Sequence, residues 1–218
     1  MVDQRPPFPA DFRLFLASQS PRRQSLLRDI GVPYEVVDAT ADEATEGDNA
    51  AAMAAANAVA KMHHAALPGD AGPGSFVLGT DTLVTLGGRV MGKPSSRAEA
   101  AAMIAGLSGR THQVVSGVAL RRIGGAGEGP GRGAAEQLHV ATATTDVTFL
   151  SLDAVQIEAY IASGEWTDKA GAYGVQGLAG MFVSEVRGEY SNVVGLPLCL
   201  LAHLFREAGF DLLRRQWI

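Results

Sequence analysis

Leu14-Phe15-Leu16-Ala17-Ser18-Gln19-Ser20-Pro21-Arg22-Arg23 is the stretch on which the fold turns. Four apolar residues, Leu14 to Ala17, read as a strand. Two serines follow, and a helix then begins. Ser20 stands where an N-cap belongs and Pro21 at the first helical position, where a missing N–H costs nothing. The unpaired N–H groups of that first turn share one direction, and the helix dipole favours negative charge there. Arg22 and Arg23 place cations where the dipole would prefer anions. A bound anion accounts for both, and the expected guest is a phosphate or a chain of phosphates. On these residues alone, an ordinary capped helix with two solvated arginines remains open.

Outward from this start, the helix runs from Pro21 to about Ile30, with Leu26, Leu27 and Ile30 on one face, and stops at Gly31. Tyr34 to Val37 reads as a short strand leading into an acidic stretch, Asp38 to Asp48. An alanine-rich helix is expected from about Asn49 to Ala66. Phe76 to Leu86 reads as a strand that turns at Gly87-Gly88 and returns as Arg89-Val90-Met91. Ser96-Arg97-Ala98-Glu99 has the pattern of a capping box and opens a helix to about Leu107. Val114 to Leu120 and the threonine-alternating Val140 to Leu150 read as strands, Asp153 to Ser163 as an amphipathic helix, and Pro197 to Ala208 as a closing helix. Met181 to Val183 and Ser191 to Val194 read as a second hairpin. The glycine-rich stretch 124–135 predicts a mobile loop. Helices mixed with two hairpins predict an α/β or α+β sheet protein rather than a simple doubly wound one.

The 218 residues suit one domain: an N-terminal extension over 1–13 and a single unit over 14–218. With 47% apolar and 19% charged residues the composition is globular. A formal net charge of −5 argues against a nucleic-acid binder, yet a small anion needs only a local basic pocket. Cys199 is the single cysteine, so neither an internal disulfide nor a thiolate zinc site is expected. No apolar run approaches a membrane span or a secretory signal, and the expected setting is the cytoplasm.

Several residues carry candidate chemistry. Asp81 interrupts an apolar strand, where a carboxylate is unfavourable unless paired, bound to metal or open to a cleft. Glu43 lies beside Asp42 in the acidic stretch. Paired in space with Asp81, it would make a hard-oxygen site for Mg²⁺ that leaves further positions to substrate phosphates. Gly87 to Lys93 nearly spells a P-loop, but Pro94 stands where Ser or Thr should hold Mg²⁺, and the glycines fall in a hairpin. Lys93 could still reach a phosphate as a point charge. His63 and His64, adjacent on a helix, point apart and do not share a metal. Nothing marks His112 as a base. The run Asp168-Lys169-Ala170-Gly171-Ala172-Tyr173-Gly174-Val175-Gln176-Gly177 lets a ligand approach the backbone. Gln176 offers an amide whose donor and acceptor complement the N3–H and O4 edge of uracil or thymine. A plain glycine-rich turn is the alternative for that run.

Taken in order, Leu16 to Arg23, Gly79-Thr80-Asp81-Thr82, Gly92-Lys93-Pro94, Leu107 to His112, Asp168 to Gly177 and Val194 to Leu198 resemble the successive motifs of the Maf-like nucleoside triphosphate pyrophosphatases. The resemblance spans about residues 14 to 208. It implies a central mixed, curved sheet flanked by helices, with two lobes around a deep cleft. It implies hydrolysis of a nucleoside triphosphate to the monophosphate and pyrophosphate with Mg²⁺ or Mn²⁺. By resemblance, Asp81 is the catalytic carboxylate, Glu43 the glutamate near the metal, and Lys61 and Lys93 the phosphate-side lysines. Ser18, Ser20 and Arg23 match the phosphate-cradling turn. Arg22, Thr82 and Gln176 match positions linked to base choice, and Lys169 joins the substrate-binding set. The run ending in Gln176 resembles the branch acting on dTTP and UTP rather than the branch acting on 7-methyl-GTP. Thr80 and Met62 stand where alanine is commoner in the family.

Two other classes compete. One is a nucleotide-binding regulator of cell division or septum formation that does not turn over. The acidic pair and the lysines favour an enzyme over it. The other is a nucleic-acid hydrolase, which would need a basic groove and stacking aromatics; only 6% of the residues are aromatic. A homodimer is what relatives suggest, and neither nucleic acid nor membrane is an expected partner.

Overall fold

The computed structural model describes residues 5–42, 44, 49–124 and 136–218. Glu43 and most of the glycine-rich stretch, 125–135, lie outside them. Leu14–Ala17 is strand β1, buried along its whole length, and Pro21–Asp29 is helix α1. Leu27 of α1 is buried, with Leu26 and Ile30 packed beside it. Glu35–Val36 is β2, and Ala50–His63 is α2, capped by the Asn49 side chain. Phe76–Leu86 is β3, and Arg89–Met91, after the positive-φ pair Gly87-Gly88, is β4. Arg97–Leu107 is α3, Thr111–Arg122 is β5, Gln137–Phe149 is β6 and Ala154–Ala162 is α4. Val183–Arg187 is β7, Tyr190–Val194 is α5 and Leu198–Glu207 is α6; Phe210–Asp211 and Gln216–Trp217, β8 and β9, form a small separate pair.

A seven-stranded mixed sheet orders as β2-β1-β3-β5-β6-β7, with β4 on β3. Strand β3 is its spine. On one edge β5 pairs antiparallel with it from Phe76 to Thr85. The other edge is shared: β1 runs parallel alongside Phe76–Gly79, and β4 pairs antiparallel with Val84–Leu86. Between them Thr80-Asp81-Thr82-Leu83 has no strand neighbour on that side among the described residues. This four-residue gap lies at the carboxyl end of β1, where open sheets of this kind receive ligands.

Alternation along β3 sorts its side chains. Val77 and Leu83 pack with residues of α2, namely Ala58 and Met62 for Val77, and Met53 and Ala54 for Leu83. Phe76 and Leu78 join Leu27, Leu201, Leu204 and Phe205 of α1 and α6 in one core cluster. Val84 belongs to another, with Ile104 and Leu107 of α3 and Tyr160 and Ile161 of α4. Thr80 and Thr82 fall between these two clusters along the same face. In the amino-terminal stretch the Phe8 ring stacks on Phe210, and the Phe12 ring leans on Phe76, Phe205 and Phe210.

Three local expectations are corrected. No second hairpin forms from Met181–Val183 and Ser191–Val194. Met181 ends a 3-10 turn, β7 starts at Val183, and 191–194 is helical. A run this short cannot be told from a helix by periodicity. Tertiary contacts decide: the α5 position lets the Asn192 amide donate to the carbonyls of Val114 and Ala143 and to Thr145 Oγ1. At α3, Ser96 caps Glu99 N–H as expected, but the Glu99 carboxylate takes the N–H and hydroxyl of Ser95 instead of closing the box. Helix α2 ends at His63, short of Ala66, because Ala65 turns to bridge Ala39 and Ala66 N–H donates to the Asp38 carbonyl.

Candidate active site

A cavity of about 460 Å³ opens at the gap beside β3. Three parts of the chain wall it: the turn into α1 (Ala17–Arg23), the β3 segment with Asp81, Thr82 and Val84, and the run Asp168–Gln176. Lys61 of α2 and Lys93, after β4, line it as well. Every described residue singled out from the sequence for chemistry lines this one space: Ser18, Ser20, Arg22, Arg23, Lys61, Asp81, Thr82, Lys93, Lys169 and Gln176. Glu43 is the one such residue that lies outside the described part of the chain.

The turn into α1 lines the cavity from Ala17 to Arg23. Ser20 has N-cap backbone geometry, but its side chain makes no capping bond; its own N–H donates to Ser18 Oγ instead. The first turn therefore lacks the expected side-chain cap. Arg23 is 9% exposed, and its fork is spent on structure. Nε donates to the Gly195 carbonyl at 2.9 Å, and the two terminal nitrogens donate to Ser18 Oγ at 2.9 Å and Thr82 Oγ1 at 3.2 Å. Thr82 in turn meets Ser116 Oγ of β5 at 2.8 Å. One guanidinium thereby joins α1, β3 and the turn before α6, which a lysine could not do.

Asp81 is 5% exposed. Its Oδ1 accepts from Lys61 Nζ at 2.7 Å and its Oδ2 from the Asn57 amide at 2.9 Å. Burial pushes the carboxyl pKa upward, but the Lys61 ammonium, the Asn57 amide and the Arg23 guanidinium together outweigh it and hold Asp81 below the usual carboxylate value. The group is therefore ionised at neutral pH. Five cationic side chains line the cavity against the two carboxylates Asp81 and Asp168 among its described residues, in a chain whose formal net charge is −5. Burial lowers the pKa of Arg22, against the pull of Asp168. Burial and then the nearby Arg22 lower that of Lys169. Partly buried cations gathered in one cavity favour an anionic guest.

The lining also has an apolar set, Val84, Val114, Tyr173, Val193 and Val194. Tyr173 is fixed from behind by His112, whose Nε2 lies 2.7 Å from the phenol oxygen. Burial drags the His112 pKa down to about 4, so the imidazole is neutral and serves as a prop, not a base. Gln176 is exposed at the rim. His63 is exposed, and His64 Nδ1 turns back to the Ala60 carbonyl, so no histidine pair forms on α2.

Sequence reasoning passed over Asn57 and the prop beneath Tyr173. A signal for Asn57 was present: an amide four residues before Lys61, on the same face of an alanine-rich helix. His112 and Tyr173 are 61 residues apart and carried no such signal.

The family model described as Maf-like protein matches residues 13–208. The chain is 46% identical over 202 residues to a dTTP/UTP pyrophosphatase of Anaeromyxobacter sp. strain Fw109-5, covering 92% of each protein. It is 42% identical over 201 residues to one from Symbiobacterium thermophilum, covering 92% of this chain and 96% of that protein. It is 45% identical over 206 residues to one from Moorella thermoacetica, covering 91% of this chain and 96% of that one.

Proposed function

The chain belongs to the Maf-like family, and from that premise we propose that it is a nucleoside triphosphate pyrophosphatase, hydrolysing dTTP and UTP to the monophosphate and pyrophosphate. The single observation that carries this reading is the meeting of Asp81 with Arg22, Arg23, Lys61, Lys93 and Lys169 in one cavity.

In this reading the triphosphate lies along the uncapped first turn of α1. Arg22, Lys61 and Lys93 neutralise its charge, while Arg23 keeps the turn and Thr82 in place. Asp81 accepts a proton from water as the water oxygen attacks the α-phosphorus. A bond forms from that oxygen to phosphorus, the bond to the bridging oxygen breaks, and pyrophosphate leaves with the electron pair. The lysines stabilise the negative charge that develops on it. The base packs by Tyr173 of the apolar set, and Gln176 accepts from N3–H and donates to O4 of uracil or thymine. A base edge that does not offer one donor beside one acceptor would leave part of that amide unpaired.

The donor set fits a divalent metal. Asp81 supplies hard oxygen in a cavity whose cationic lining suits phosphate. That suits Mg²⁺ or Mn²⁺ held by Asp81 and Glu43, with substrate oxygens as further ligands. When bound, the cation would supply charge neutralisation on the phosphates and a more acidic water.

The test is pyrophosphate release from purified protein with Mg²⁺ and a panel of dTTP, UTP, GTP and 7-methyl-GTP. Rapid release from dTTP and UTP alone is expected. Comparable release from 7-methyl-GTP would overturn the base assignment. Tight binding without release would overturn the enzyme reading in favour of a nucleotide-responsive regulator. Among the described residues no helix is long and apolar enough to cross a membrane.

A further inference from the structure

Asn57 is the one polar side chain on the buried stripe of α2, which otherwise comprises Met53, Ala54, Ala58 and Met62. Locally it is a poor choice. Alanine is the better helix former, and a primary amide among alanines and methionines is unfavourable unless its hydrogen bonds are made. They are made to two different parts of the chain. Oδ1 accepts from Ala44 N–H at 2.8 Å, and Nδ2 donates to the Ala44 carbonyl at 3.0 Å and to Asp81 Oδ2 at 2.9 Å. Both amide donors are thereby spent.

The pair of bonds to Ala44 copies the exchange that a neighbouring strand would make with that residue. The orientation of the amide is determined as well. Flipped, its oxygen would face the Asp81 carboxylate and the Ala44 carbonyl and its NH₂ would face the Ala44 N–H, three repulsions in place of three bonds.

We propose that Asn57 is a positioning residue for the reaction, holding the Asp81 carboxylate in the orientation that accepts the water proton and tying it to Ala44. The inference rests on the reading of Asp81 as the proton acceptor. With Lys61 on Oδ1 and Asn57 on Oδ2, the carboxylate cannot turn about its last bond. Lys61 also belongs to the cationic lining and is drawn toward phosphate once substrate arrives. Asn57 carries no charge and is not drawn away. It is therefore the partner that keeps Asp81 aimed during turnover. Substrate does not touch Asn57, which does not line the cavity, so its loss acts on orientation and not on binding.

The experiment compares Asn57→Ala and Asn57→Leu with wild type and with Asp81→Asn. Alanine continues the helix composition, and leucine fills the space, so at least one folds, as checked by circular dichroism. Two measurements are made: kcat and KM for dTTP with Mg²⁺, and hydrogen exchange at the Ala44 amide. The expected result is a kcat lower by roughly tenfold to a hundredfold, as for a misaimed reacting group, with KM unchanged within about twofold and faster exchange at Ala44. A folded variant with wild-type kcat overturns the proposal, even if Ala44 exchanges faster, because the amide then only anchors Ala44. A raised KM with unchanged kcat also overturns it, because the role is then in binding. Should Asp81→Asn keep wild-type turnover, the reading of Asp81 itself fails, an outcome separate from the others. An inactive Asp81→Asn beside a fully active Asn57→Ala would sink the positioning role alone.

Discussion

Gly117 of β5 stands directly opposite Asp81 in the antiparallel register of β3 and β5, and its missing side chain is what lets α2 reach the carboxylate. A Cβ at Gly117 would fall 2.1 Å from the Ala54 carbonyl oxygen. One at Gly79, two residues before Asp81, would fall 2.1 Å from that of Ala58. The backbone of α2 rests on the sheet at these two glycines through Ala54 and Ala58. The neighbouring row of the helix, Asn57 and Lys61 at i and i+4, is then brought over Asp81.

Gly117→Ala should accordingly harm stability and turnover together. The added methyl must lift α2, at a cost of about 1–3 kcal/mol by analogy with other overpacked cores. It should also lengthen the Lys61–Asp81 contact. Urea denaturation and steady-state kinetics on the same preparation check both. A variant as stable and active as wild type would contradict the close-packing argument.

Asp81→Asn retains shape and the reach to Lys61 but removes the proton acceptor. Its kcat for dTTP should fall by about 10²- to 10⁴-fold, the range of a general base. Affinity for the nucleotide without added metal should hold or improve, because one negative charge leaves a site built for polyphosphate. Pyrophosphate release and equilibrium binding of a non-hydrolysable dTTP analogue measure the two effects separately.

Gln176→Leu should erode base selection more than catalysis. The rim amide is replaced by a side chain of similar size without donors or acceptors. KM for dTTP and UTP should rise, and the preference over 7-methyl-GTP should narrow by about tenfold or more, as expected when one hydrogen-bonded edge is lost. An unchanged preference would show that discrimination lies elsewhere in the cavity.

His112 predicts an acid-sensitive component of stability. Its pKa of about 4 in the fold lies below the 6.5 of an unperturbed histidine. The unfolded chain therefore binds the proton more readily. Stability is complete above pH 6.5 and falls as the pH drops toward 4. At about 1.4 kcal/mol per unit, this one group accounts for roughly 3 kcal/mol across that window. In His112→Gln, denaturation midpoints at pH 7, 6 and 5 should lose most of this slope. A slope equal to wild type would refute the assignment.

Much of the site was legible because it is local. The strand–turn–helix at Leu14–Asp29, the polar cluster in β3 and the run ending at Gln176 each carry their chemistry within a few residues. Where periodicity was short the reading failed. Ser191 to Val194 reads as strand, yet Tyr190–Val194 is helix, and in that form the Asn192 amide reaches carbonyls of β5 and β6. The empty cap at Ser20 was also invisible in sequence, since any serine before Pro21 reads as a cap whichever way its hydroxyl turns.

By itself the order of residues determined the alternation of strands and helices, the cationic start of α1 and the acid placed within an apolar strand, because backbone preferences and side-chain periodicity act over a few neighbours. Only the tertiary structure decided that β1 and β4 share one edge of β3 and leave Thr80–Leu83 open between them. It alone brought Asn57 within 2.9 Å of Asp81, 24 residues along the chain. Such contacts depend on how closely a helix backbone can approach a sheet. That is a matter of volume at Gly79 and Gly117, which packing settles and local propensity does not.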